Sequence, residues 1–158
     1  MNITKSLMPG IYMALFLGLL NINFIQAAEQ EPDTPEAQAM QVLDDFMLAF
    51  NTYDAKAWMQ TLHFPHYRLA NGEMVILQSG DETLERLKYS ISALRQSGWH
   101  HSAWTLREIV HTGPNKVHIN TRFTRYREDG SIIASYDSLY IVTFEQGRWA
   151  VKMRSSFA

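Results

Sequence analysis

The sequence predicts an α+β domain, with three N-terminal helices packed on a strongly curved, mostly antiparallel sheet to form a cone-shaped α+β barrel. Three observations carry this reading. Apolar residues recur at helical spacing as far as Leu94, the period falls from 3.6 to 2 after Gly98, and the C-terminal stretches are separated by short turn signals. The 158 residues, 46% hydrophobic and 19% charged, have the balance of one globular core, which excludes a disordered chain or a multi-domain enzyme. A formal net charge of −2 offers no positive field to hold a phosphate backbone, so no nucleic-acid partner is expected.

Residues 1–28 have the pattern of a signal peptide. Lys5 precedes an apolar run over 11–20, and the small residues Ala27 and Ala28 suit cleavage. The run is about half of the roughly 20 apolar residues that a membrane span requires, and Asn21 and Asn23 interrupt its extension. The mature domain is therefore expected in the periplasm or secreted, with no stable membrane anchor. The chain has no cysteine, which excludes thiol catalysis, disulfides and a Cys-based zinc site.

Residues 29–35 read as an acidic, flexible leader that ends where Thr34 caps a helix and Pro35 enters its first turn; the domain occupies 36–158. Ala39, Leu43, Phe46, Met47 and Phe50 form one face of the first helix. Asp54 caps a short second helix carrying Trp58, Met59 and Leu62, which must end before Pro65. Two short strands over 66–70 and 73–78 flank the hairpin signal Asn71-Gly72. Ser79 and Glu82 have capping-box spacing ahead of a third helix, with Leu84, Leu87, Ile91 and Leu94 as its buried stripe and Gly98 as its stop. Four strands follow, over 99–111, 116–127, 131–144 and 148–157, with turns at Gly113-Pro114, Asp129-Gly130 and Gln146-Gly147.

This order of elements, with the Asn51-Thr52-Tyr53-Asp54 turn after the first helix and Gly147-Arg148-Trp149 opening the last strand, resembles the nuclear-transport-factor-2-like superfamily. That superfamily includes SnoaL-like polyketide cyclases, ketosteroid isomerases and scytalone dehydratases. The resemblance covers the mature domain and implies the fold, together with a homodimer formed through the outer sheet face. It does not carry the isomerase chemistry across. Where those enzymes hold an oxyanion-stabilising tyrosine and a basic aspartate, this chain has Phe46 and Leu69 or Ala70, which neither donate nor accept a proton.

If every turn is a simple hairpin, cross-strand partners keep a constant index sum. The Asp129-Gly130 turn then pairs Phe123 with Tyr136, Thr121 with Ser138 and Ile119 with Tyr140. The Gln146-Gly147 turn pairs Val142 with Val151, Tyr140 with Met153 and Ser138 with Ser155. The Gly113-Pro114 turn sets Thr112 opposite Val117 and Glu108 beside Thr121. One face then gathers Leu106, Val110, Val117, Ile119, Phe123, Tyr136, Tyr140, Val142, Phe144, Trp149, Val151, Met153 and Phe157 beneath the helices. The other face carries Arg107, Ile109, Arg122, Asp137, Leu139, Ile141, Lys152 and Arg154, with Arg122 directly opposite Asp137.

A single polar row, Glu108, Thr121, Ser138 and Ser155, crosses the apolar face and is the candidate floor of a ligand pocket, within reach of the Tyr136 and Tyr140 hydroxyls. Buried there, Glu108 would have a raised pKa and serve as a proton shuttle. A β-bulge in its long strand would instead turn Glu108 to solvent, and the sequence leaves both arrangements open. His66, at the mouth of the expected cavity, is a candidate ligand-contacting or acid-base residue, and Trp58, Trp99 and Trp104 are candidate aromatic walls or simply core.

No metal site and no cofactor are expected. His100 and His101, as strand neighbours, should point to opposite faces, and His111 and His118 face each other across a hairpin with no acidic third ligand. The functional expectation is an exported domain that binds a small apolar or amphipathic molecule. The alternatives are an isomerase, cyclase or dehydratase using Glu108 or His66 as base, and an interaction module whose cavity is filled. A cavity of about 300 Å³ or more touching Glu108 would favour a ligand.

Overall fold

The computed structural model describes residues 34–158, so the signal peptide and most of the leader lie outside the described residues. Helix α1 (Pro35–Thr52) starts where Thr34 Oγ1 accepts the Ala37 N–H at 3.2 Å, and α2 (Ala55–Gln60) where Asp54 Oδ1 accepts the Ala57 N–H at 2.9 Å. Strand β1 (Leu62–Ala70) starts four residues earlier than expected and runs through Pro65, while β2 (Glu73–Leu77) follows the Asn71-Gly72 turn. Both turn residues have positive φ, 53° and 81°, as a two-residue hairpin requires.

Helix α3 (Gly80–Gln96) lacks the full capping box: the Ser79 side chain makes no cap bond, and Glu82 Oε2 instead accepts the Gln78 N–H at 3.1 Å. Strands β3 (His101–Gly113), β4 (Lys116–Tyr126), β5 (Ile132–Glu145) and β6 (Arg148–Ser156) complete the fold.

The six strands form one mixed sheet in the order β2-β1-β6-β5-β4-β3, with β1 and β6 parallel and the other neighbours antiparallel. The sheet is not closed: β2 and β3 are its edges. The core forms where Ala39, Leu43 and Phe46 of α1, with Trp58 of α2, meet Val117, Ile119, Tyr140, Val142 and Val151. An Asn51 clamp ties the end of α1 to β3: its Nδ2 donates to the Ser102 carbonyl at 2.8 Å, and its Oδ1 accepts the Ser102 N–H at 2.9 Å. The Asn51-x-x-Asp54 turn thus joins a helix–strand clamp to a helix cap.

The β4–β5 register agrees with the sequence in all three predicted pairs, and Arg122 meets Asp137 in a two-pronged ion pair at 2.8 and 3.1 Å. Extra residues in β3 and β6 change the phase of those strands. In β3, Thr105 and Val110 are bulged out of the ladder, so Ile109 pairs with Ile119, Arg107 with Thr121 and Trp104 with Phe123. In β6, the register shifts at Lys152, so Arg154 pairs with Tyr140 and Ser156 with Ser138, whereas Met153 pairs with the outer residue Ile141.

Leu106, Val110, Met153 and Phe157 are therefore corrected out of the inner face. Leu106 and Val110 are 42% and 47% exposed, and Phe157, beyond the last strand, is 77% exposed. Arg107, Ile109 and Arg154, expected outside, turn inward.

Candidate functional site

The polar row exists, but both ends differ from the sequence reading. It runs Arg107, Thr121, Ser138, Ser156. Glu108 pairs with Asn120 and is exposed on the outer face, because the Val110 bulge reverses the alternation between the hairpin turn and Glu108. Ser155 pairs with Leu139 for the corresponding reason at Lys152. The row satisfies itself: Thr121 Oγ1 donates to the Ser138 carbonyl at 3.1 Å, Ser138 Oγ donates to Ser156 Oγ at 2.8 Å, and Arg107 reaches Asp44 of α1 at 2.6 Å.

The aromatic candidates surround the row. Tyr140 is buried, with its ring centroid 5.7 Å from Phe46 and 5.5 Å from Trp104. Tyr136 lies against Phe123 at 5.3 Å, and Trp58 against Phe46 at 5.3 Å. The indole N–H groups of Trp99 and Trp104 donate to Ser102 Oγ and the Leu43 carbonyl, whereas buried Trp58 Nε1 has no partner.

Three arginines share the inner face with these rings. Arg68 and Arg154 are lateral partners on β1 and β6, and Arg125 lies two residues beyond Phe123 on the inward phase of β4. The Arg154 guanidinium is 5.5 Å from the Phe46 ring centre, and that of Arg125 is 4.8 Å from Tyr136 and 5.6 Å from Phe123. Each cation is half-buried, yet Arg125 Nε and Arg154 Nε are withdrawn from solvent with no acceptor.

Among the described residues no Asp or Glu side chain forms an ion pair with any of the three. Arg68 donates to the main-chain oxygen of Ala158, the last residue of the sequence, at 3.0 Å. Burial, and then the neighbouring Arg154 charge, pull the Arg68 pKa down to about 10; burial also lowers that of Arg125.

His66 stands two residues before Arg68 on the same face of β1 and is completely buried. Its Nδ1 lies 3.2 Å from the Val151 carbonyl, and its Nε2 has no partner. Burial and then the Arg154 charge push its pKa down to about 3, so the ring is neutral at physiological pH. A carbonyl can only accept, so the ring hydrogen is on Nδ1 and the Nε2 lone pair faces the interior.

His100 and His101 depart from expectation. His100 precedes the first residue of β3, so strand alternation does not separate the two, and their Nδ1 atoms lie 3.0 Å apart. His111 and His118 do pair across the hairpin, with ring centres 5.5 Å apart. Among the described residues no group of three or more His, Asp or Glu is placed to hold a metal ion.

The surface cavities among the described residues include one of about 430 Å³ between Tyr53 and helix α3 and one of about 740 Å³ between α1 and the Phe144–Trp149 turn. Neither touches Glu108, Thr121 or Ser138.

The interior arginines were not singled out by sequence reasoning. Arg125 was legible, because it shares parity with Thr121 and Phe123, and Arg68 shares parity with His66. Arg154 was hidden by the Lys152 register shift, which no hairpin arithmetic contains.

The comparisons with known proteins agree with this architecture. A model of the family described as "NTF2-like protein (DUF6841)" matches residues 35–154. Among solved structures, an NTF-2 like protein from Shewanella oneidensis is 21% identical, covering 79% of this chain and all of its own, with a TM-score of 0.65. A protein with a cystatin-like fold from Nostoc punctiforme is 13% identical, covering 77% of this chain and 89% of its own, at 0.63. A ketosteroid isomerase-like protein from Erwinia carotovora atroseptica is 17% identical, covering 77% and 93%, at 0.59. At such identities the likeness is one of fold. No curated protein sequence matches the chain. With the family model spanning nearly all of the described domain, the chain belongs to the NTF2-like DUF6841 family.

Proposed function

We propose that this domain is an exported binding protein for a small amphipathic molecule with an anionic head, held non-covalently on the inner face of the sheet. One observation carries the reading: Arg68, Arg125 and Arg154 share that face with no Asp or Glu side chain paired to them, and two of their Nε donors are buried and unpaired. Cations taken partly out of water without counter-charge raise the energy of the free protein, and an anion accepting from them relieves it. The rings of Phe46, Phe123, Tyr136 and Tyr140 supply apolar contact for the rest of the ligand. This narrows the expected apolar or amphipathic ligand to the amphipathic class.

The catalytic alternative loses its best base, since Glu108 is exposed on the far face. His66, with a pKa of about 3, is too weak a base to take a proton efficiently near neutrality. A filled interaction module would have no use for unpaired arginine donors. Export is supported by Lys5, the apolar run that follows and the alanines at 27 and 28. Pairing with a second copy through the outer sheet face is also part of the proposal. The core helices cover the opposite face, while Leu69, Leu106 and Leu139 remain exposed on this one.

Isothermal titration of the mature domain with phenylacetate, phenyl phosphate and neutral benzyl alcohol tests the reading. An anion should bind, benzyl alcohol should not, and Arg154→Met should weaken the anion about tenfold or more. Equal affinity for the neutral alcohol, or no loss in Arg154→Met, would overturn it.

A further inference from the structure

We infer that the ligand carries a hydroxyl close to its anionic group, as in a 2- or 3-hydroxy acid, and that His66 reads this hydroxyl by accepting its hydrogen bond at Nε2. The inference rests on the anion-binding reading and adds the chemistry that completes it. Of the polar groups facing the interior here, Arg125 Nε and Arg154 Nε are buried donors without acceptors, and Arg68 donates to the main-chain oxygen of Ala158. Such a set asks for an anion.

His66 is the exception. Its Nδ1 proton is committed to the Val151 carbonyl, so its buried Nε2 is a lone pair without a donor. The neighbouring guanidiniums do not supply one, for neither Arg68 nor Arg154 makes a bond to it. A simple carboxylate or phosphate satisfies the arginines and leaves Nε2 bare, whereas a molecule presenting both an anion and an O–H satisfies all of them.

Position fixes how close the two groups must be. His66 and Arg68 are alternate residues on one strand face, about 7 Å apart along the chain, and Arg154 is Arg68's lateral neighbour. The long arginine side chains close most of that gap, so the hydroxyl belongs one or two carbons from the acid group. A site with a buried acceptor also discriminates. An analogue lacking the hydroxyl must leave Nε2 unpaired after displacing whatever water reaches it, and sites built around a hydroxyl reject such analogues strongly.

The test uses matched acids on the whole mature domain: lactate against propionate, mandelate against phenylacetate, and 3-hydroxy-3-phenylpropanoate against 3-phenylpropanoate. In at least one pair the hydroxy acid should bind ten times more tightly or better, and in His66→Phe that ratio should fall below about two while the plain acid keeps its affinity. Nitrogen-15 spectra of His66 in the unaltered protein give a readout that does not depend on the variant folding. Nε2 should be the unprotonated nitrogen of the free protein, and its resonance should move on adding the hydroxy acid but not the plain acid. Equal affinities within every pair, or a proton on Nε2, would overturn the hydroxyl inference and leave anion binding standing. Failure of all six acids to bind would overturn both.

Discussion

His66 should make the domain acid-labile by an amount that its burial sets. The ring faces Arg154, Arg68 and Lys152, none of which favours a second positive charge, and its pKa is about 3 in the folded chain against 6.5 as a free side chain. A base whose folded pKa is depressed contributes stability that is complete above the unfolded value and is lost as pH falls toward the folded one, because the unfolded chain takes up the proton first. Between pH 6.5 and pH 4 that is 2.5 units at about 1.36 kcal/mol each, or about 3 kcal/mol, a large fraction of the roughly 5–15 kcal/mol that holds a domain together. The assay is urea denaturation of the unaltered domain and of His66→Gln at pH 7, 5 and 4. Carboxylates and His63, whose pKa burial also lowers, titrate in both proteins and cancel in the comparison. The unaltered domain should lose about 3 kcal/mol more than the variant across that range. Parallel pH profiles would refute the reasoning and show that the imidazole is hydrated or paired in the folded state.

Two further outcomes follow from other contacts. Asn51→Leu removes both arms of the clamp on Ser102 and leaves a backbone N–H and a carbonyl without partners, which should cost about 2–4 kcal/mol in denaturant titration, whereas a loss below about 0.5 kcal/mol would mean water replaces the side chain. If two copies pair through the outer sheet face, Leu139→Glu should convert a dimer to a monomer in light scattering after size exclusion, with near-native circular dichroism; an unaltered assembly state would place the contact elsewhere.

The parts of the fold legible in the sequence are those set by local chemistry. Thr34 and Asp54 cap their helices because a short oxygen-bearing side chain can reach the free N–H groups of the first turn. Asn71-Gly72 and Gln146-Gly147 make their hairpins because these pairs tolerate positive φ at successive residues. Once a tight turn is fixed, the ladder beside it follows, which is why Val142 meets Val151 and Thr112 meets Val117 as expected. The early start of β1 was not legible, because Pro65 is a poor strand residue in isolation and the pairing of Leu62 with Val151 is a long-range contact. Equally, nothing local to His100 said that β3 would begin one residue later and leave the two imidazoles in contact.

The ends of the polar row differ from simple hairpin register for a single physical reason, one that the sequence reading held open for Glu108 and did not foresee at Lys152. Side chains alternate with a period of two, so one extra residue reverses every inward and outward assignment beyond it. At Val110 the reversal expels the carboxylate of Glu108 and brings in Arg107, which finds Asp44 on α1. At Lys152 it expels Met153 and brings in Arg154, which finds no acid. With simple hairpins throughout, the interior would hold one glutamate and a methionine, the equipment of an apolar pocket with a base. The bulged strands replace these with arginines around a neutral imidazole, which removes Glu108 as a candidate base from the interior and supplies the cations on which the proposed anion binding rests. Arg107 and Arg154 both enter the interior through a bulge, but only the first finds an Asp or Glu side chain there, which is why the proposed anion site is built on the second.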